Sequence, residues 1–180
     1  MFATIELCII VAGIMSESTW SNQVIALLLP NGKHPRYIRL TPISTFAMIL
    51  MVLGAAIRYS CFRELGRNFT FHVTLVKNHK LITTGPYSIV RHPAYTGGIL
   101  LNVGQVIWYA ARGSWLRESM FYQMKLSWLL IAPVMLSIFL PVFYIPYRIP
   151  VEDDTLKRQF GKSWDEWAKA VPYRLLPGIY

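Results

Sequence analysis

Charge is scarce in this sequence. Asp, Glu, Lys and Arg make up 15% of its 180 residues, against roughly 25% in an ordinary soluble domain. With 54% hydrophobic residues and a positive mean hydropathy, the shortage excludes a conventional water-soluble domain and points to one membrane-embedded domain spanning residues 1–180. Acid is scarcer than base, nine residues against eighteen, for a net charge of +9. The basic residues lie in loops between apolar runs, so anionic lipid headgroups account for them better than nucleic acid, which we do not expect as a partner. Cysteine is limited to Cys8 and Cys61. Both sit in or beside apolar runs and are expected as buried small hydrophobes. Without Cys-x-x-Cys, and with four histidines away from ligand spacing, no metal site is expected. No Lys or Arg precedes the apolar start at Leu7, so no removable signal peptide is expected.

Long uncharged runs are what the chain has instead. A span needs about 20 predominantly apolar residues. Leu7–Met15 and Val24–Leu29 each fall short, and suggest one imperfect span or a short helical hairpin. Leu40–Ile57 is long enough, with Arg58 placed to snorkel at its end and Gly54, Ala55 and Ala56 forming a small-residue face. Ala94–Ala111 is a second uncharged run, with Gly97, Gly98 and Gly104 allowing close approach, and Leu126–Tyr147 is a third, interrupted by Pro133, Pro141 and Pro146. The expected fold is therefore all-α and polytopic: three clear transmembrane helices, an N-terminal helix or hairpin, and short cytoplasmic C-terminal helices. The first of these last begins after Pro150, with Glu152, Asp153 and Asp154 in its first turn. Gly161 stops it, and Ser163-Trp-Asp-Glu166 reads as the capping box of the second. Leu156, Phe160, Trp164 and Trp167 make one apolar stripe suited to the membrane interface. If three spans alternate, Lys33, Arg36, Arg39, Arg112, Arg117 and Lys125 share one side, and the remaining twelve basic residues, Arg91 and those of the tail among them, share the other. The positive-inside rule makes that second side cytoplasmic.

The densest stretch is Lys80–Gly98, a turn-rich segment ending in Arg91-His92-Pro93-Ala94-Tyr95 and running into an apolar helix. Proline is favoured at the first helical position, which puts His92 at or near the N-cap and Tyr95 in the first turn. Free N–H groups and the positive end of the helix dipole make such a place receptive to a polar cofactor.

Gly85-Pro86-Tyr87, Arg91-His92-Pro93-Ala94-Tyr95-Thr96-Gly97, Arg148-Ile-Pro-Val-Glu152 and Phe160-Gly161-Lys-Ser-Trp164 together resemble the isoprenylcysteine carboxyl methyltransferase family and its phospholipid methyltransferase relatives. The resemblance covers about residues 60–180. It implies an S-adenosylmethionine-dependent carboxyl O-methyltransferase that esterifies the C-terminal cysteine of prenylated proteins or peptides. It further implies an integral protein of the endoplasmic reticulum, if the source is eukaryotic, with the active site and C-terminus cytoplasmic. Carried over residue by residue, the cofactor contacts are His79, Lys80, Leu81, Ile82, Tyr87, His92, Pro93, Ala94, Tyr95 and Glu152, with a further one aligning near His72. Arg148, placed at the end of the last span, is the candidate catalytic and substrate-binding residue, its planar guanidinium suited to two carboxylate oxygens. Arg148 and Glu152 stand one helical turn apart.

Three other readings share some of these residues. An amine or phospholipid methyltransferase would need a general base to deprotonate its acceptor. NADPH-dependent sterol reductases share Arg-His-Pro-x-Tyr-x-Gly and a chain end like Val171–Tyr180, but have Asp where this chain has Gly98. A non-catalytic membrane scaffold would have no use for an intact Arg148 and Glu152.

Overall fold

The structure is a computed structural model that describes residues 2–15, 18–29, 35–66, 80–119 and 127–179. Its regular elements are α1 (Phe2–Ile14), α2 (Thr19–Leu28), α3 (Pro42–Leu65), α4 (Pro93–Ala110), α5 (Trp115–Glu118), α6 (Trp128–Phe160) and α7 (Lys162–Ala170), with 3-10 turns at Pro35–Tyr37 and Gly85–Ser88. Among the described residues there is no strand, as an all-α fold requires.

Among the described residues two helices, not three, are long and apolar enough to cross a membrane: Pro42–Leu65 and Ile131–Phe160, with 17% of each apolar window buried inside the protein. Lipid is the solvent that tolerates side chains such as Phe143, 75% exposed, and Tyr147, 71% exposed, next to one another on a helix. The third expected span, α4, falls short because Asn102, Gln105 and three glycines dilute its apolar residues. α6 continues unbroken past Pro146 and Pro150 to Phe160, so the first expected C-terminal helix is the end of the last long helix. α7 starts at Lys162 with Gly161 as its N-cap and no side-chain cap bond, so the Ser163–Glu166 capping box does not form. Gly161 has φ of 54°, a left-handed conformation that costs a residue with a side chain about 1–2 kcal/mol and lets the chain reverse between the two helices.

The chain divides into two compact units, Met1–Leu50 with Val103–Ile138, and Met51–Asn102 with Phe139–Tyr180. In the first, α1 and α2 pack together as a helical hairpin. Ser18 caps α2 by accepting from the Ser21 amide at 3.1 Å, and the Ser21 hydroxyl donates to the Ala12 carbonyl at 2.5 Å. Ile9, Leu29, Ile38 and Trp115 form its core. The buried Glu6 carboxylate accepts from the Trp115 amide at 2.8 Å and the Trp108 indole at 3.2 Å, beside a cavity of about 70 Å³. Cys8 is exposed on α1, contrary to expectation, because α1 turns Ile9 and Ala12 inward.

In the second unit α3 and α4 meet at Gly54 and Gly97. A Cβ on Gly54 would lie 2.6 Å from the Gly97 carbonyl, and one on Gly97 would lie 2.7 Å from that of Gly54. Of the expected small-residue face, Gly54 alone is buried, while Ala55 and Ala56 are exposed. Because α3 runs on to Leu65, Arg58 lies within it rather than at its end, and donates to the Ala94 carbonyl at 3.1 Å instead of snorkelling. The tryptophan stripe is also corrected: Trp164, Trp167 and Val171 are buried, packed by Leu81, Tyr87, Leu156 and Phe160. Folding α7 back at Gly161 gives the stripe a protein partner in place of the membrane interface.

Candidate active site

The site lies wholly in the second unit, where the start of α4 faces the polar end of α6. Pro93 opens α4, and the His92 carbonyl accepts from Tyr95 N at 3.1 Å and Thr96 N at 3.3 Å, which makes His92 the N-cap residue. Tyr95 therefore stands in the first helical turn. Its hydroxyl donates to Glu152 Oε2 at 2.6 Å and accepts from Arg148 Nε at 2.7 Å. Arg148 Nη1 donates to the Tyr144 hydroxyl at 2.9 Å, and the guanidinium lies 5.6 Å from the Tyr144 ring centroid. Tyr144, Arg148 and Glu152 follow one another at four-residue intervals on one face of α6, so helical periodicity delivers all three to the same place. Arg148 Nε and Glu152 Oε2 are 3.9 Å apart, with side chains 23% and 29% exposed. Both are held in place and partly exposed.

Burial, followed by the Glu152 charge, pushes the Tyr95 phenol above its ordinary range. Tyr87 is pushed up as well, first by burial and then by the Cys61 thiol. Both stay protonated near neutral pH, and Tyr95 remains a donor to Glu152. The turn carrying Tyr87 is fixed by Trp167, whose indole donates to the Tyr87 carbonyl at 3.1 Å.

His92 is 4% exposed, and its Nε2 lies 3.0 Å from Asp153 Oδ1. Asp153 Oδ2 lies 3.2 Å from Arg91 Nη1 and 3.3 Å from Arg174 Nε. The tail closes over the turn: the Arg91 and His92 amides donate to the Tyr173 and Arg174 carbonyls at 2.9 and 2.8 Å, and Thr96 Oγ1 donates to the Leu175 carbonyl at 2.7 Å.

Tyr95, Glu152 and Arg148 are thus joined in one hydrogen-bonded chain, with His92 and Pro93 one turn away and Ala94 beside Tyr95, its carbonyl held by Arg58. Leu81 packs with Tyr87 against the tryptophans. Lys80 is exposed and Ile82 half-buried; among the described residues no hydrogen bond or ion pair links either to that chain. His79 and His72 lie outside the described residues. Sequence reasoning missed Tyr144, Asp153 and Arg174. The four-residue step from Arg148 would have found Tyr144; nothing in the sequence pairs Asp153 with Arg174.

The donor set fits an adenosyl cofactor carrying an ammonium and ribose hydroxyls. Glu152 spends Oε2 on Tyr95 and Arg148, while its Oε1 makes no hydrogen bond or ion pair among the described residues. An acceptor is therefore left at a half-exposed position beside two phenols. Among the described residues no group of His, Cys, Asp and Glu is arranged to hold a metal ion.

A helical protein with two membrane-length apolar helices among the described residues and a polar Arg–Tyr–Glu chain where they turn polar has the make-up of an integral membrane protein. The sequence profile of the isoprenylcysteine carboxyl methyltransferase family matches residues 46–158, and the chain belongs to that family. It is 30% identical over 134 residues to protein-S-isoprenylcysteine O-methyltransferase B of Arabidopsis thaliana, covering 72% of this chain and 57% of that protein. A probable protein-S-isoprenylcysteine O-methyltransferase of Oryza sativa subsp. japonica is 28% identical over 162 residues, 87% of this chain and 71% of its own. A Delta(14)-sterol reductase of Mus musculus is 29% identical over 108 residues, 56% of this chain but 20% of the reductase.

Proposed function

We propose that this chain is an S-adenosylmethionine-dependent methyltransferase that esterifies the C-terminal carboxylate of a prenylated cysteine, working as one integral-membrane unit over residues 1–180. Its relatives carry that activity in their names. The observation that carries the reading is the Arg148–Tyr95–Glu152 chain, which sets a guanidinium beside a carboxylate with an acceptor to spare. The family points to the endoplasmic reticulum in a eukaryotic cell, with the site and the tail facing the cytoplasm.

When bound, S-adenosylmethionine supplies a methyl group made electrophilic by its sulfonium. The protein is left with binding and alignment. A C-terminal carboxylate has a reference pKa of about 3.5 and is ionised at neutral pH, so no base is required. Arg148, steadied by Tyr95 and Tyr144, holds the acceptor's carboxylate. Glu152 accepts hydrogen bonds from the cofactor's ribose hydroxyls or ammonium. Tyr87, His92, Pro93, Ala94 and Tyr95, with His79, Lys80, Leu81 and Ile82, form the cradle, several through their backbone. Alignment of this kind contributes up to roughly 7–11 kcal/mol. The exposed apolar residues of α6 leading to Arg148 offer the prenyl tail a lipid-facing approach.

The test is an incubation of purified protein with methyl-tritiated S-adenosylmethionine and a farnesylcysteine analogue. Base-labile methyl ester is the expected product. Absence of ester together with NADPH binding would favour the reductase reading instead.

A further inference from the structure

Asp153 is a buried carboxylate that the methyl-transfer reading leaves without a task. It is 6% exposed and faces two guanidinium groups, Arg91 and Arg174, and the His92 imidazole. We propose that Asp153 is a positioning residue for the reaction, holding the His92 turn so that Tyr95 is presented to Glu152 and Arg148. The inference rests on the methyltransferase reading above.

Consecutive residues on an α-helix point about 100° apart, so Glu152 and Asp153 cannot serve one partner. Instead they grip one turn of α4 at two points. Glu152 takes Tyr95 at 2.6 Å, and Asp153 takes His92 at 3.0 Å. His92 and Tyr95 are three residues apart, neighbours on a helical face, with rings stacked at 5.7 Å. One attachment would leave the turn able to rotate about its axis; two fix the angle at which the Tyr95 hydroxyl meets Arg148. The tail reinforces the second point, since Arg174 reaches Asp153 through its side chain while its carbonyl binds the His92 amide. A buried ion cluster is a weak source of stability, because desolvation opposes attraction; what it offers here is direction, through the hydrogen bond of Asp153 Oδ1 with His92 Nε2 at 3.0 Å. Direction is what the Tyr95 hydroxyl needs. Asp154, the next residue, pairs on the surface with Arg158 at 2.7 Å and lacks this geometry.

The experiment compares Asp153→Asn, Tyr95→Phe, the double variant and an Asp154→Asn control, purified in detergent. S-adenosylhomocysteine affinity is read by calorimetry, and kcat and KM by ester formation. Asp153→Asn should lower kcat about tenfold with a smaller change in acceptor KM. Tyr95→Phe should then add less than about threefold, because the two act through one geometry. Fully multiplicative losses in kcat and affinity would overturn the proposal, as would a variant with lowered melting temperature and unchanged kcat and affinity. Should Asp153→Asn not fold, Arg174→Gln removes one arm of the clamp and should move kcat in the same direction; unchanged kcat would count against the proposal. Should the wild type make no ester and bind no S-adenosylhomocysteine, the methyltransferase reading fails. Hydrogen exchange at residues 93–98 still decides the clamp: faster exchange in Asp153→Asn but not Asp154→Asn supports it, and equal exchange overturns it.

Discussion

Tyr95 stands between opposite charges, accepting from Arg148 and donating to Glu152. The two charged residues therefore fail differently when removed. Arg148→Ala deletes the proposed anchor of the acceptor and should cut ester formation on the order of 100-fold, with S-adenosylhomocysteine affinity within about threefold. Glu152→Gln keeps the shape but loses the charge, and should weaken that affinity about tenfold. Calorimetry beside turnover separates the two, and equal losses in both variants would show that the roles are misassigned. Tyr95 and Tyr87 are raised above the ordinary phenol range, so neither ionises between pH 7 and 9. With a carboxylate acceptor ionised throughout, kcat should be flat over that window. A rise with pH would mean an acceptor that must first lose a proton, as an amine does.

At the scale of elements, the site depends on α3 and α4 coming closer than side chains permit. A Cβ at Gly97 would lie 2.7 Å from the Gly54 carbonyl and 2.8 Å from Arg58 Cγ. Backbone on one side cannot yield, and Arg58 is held at the Ala94 carbonyl. Gly97→Ala should cost about 1–3 kcal/mol, read as a fall of several degrees in the melting temperature in detergent. An unchanged midpoint would mean that the helices can separate there. α7 shows how an element's partner alters its meaning. Its tryptophans carry the amphipathic pattern of an interfacial helix, yet Trp164 and Trp167 are buried against Leu81, Tyr87 and Phe160.

For the molecule as a whole, the apolar faces of α3 and α6 are what require a bilayer. With 17% of each apolar window buried, the remaining side chains are left uncovered by the described residues of the protein. The protein expressed in cells should stay in the membrane pellet after extraction at high pH, and leave it only with detergent. Release by alkaline carbonate would show that another protein covers those faces.

The all-α architecture, the helix start at Pro93 and the pairing of Arg148 with Glu152 were legible in the chain, because each is a local matter of apolar run length, proline's fixed φ or helical periodicity. The motifs also marked Tyr95. What the chain could not display is any relation between distant segments. Asp153 read as one of three acids opening a helix, but the structure makes it the partner of Arg91, His92 and Arg174. The stripe of α7 could have faced lipid or protein with the same periodicity, and the positive φ at Gly161 settled which. Local sequence fixes which side chains share a helix face; only the folding of one helix against another determines which charge each of them meets.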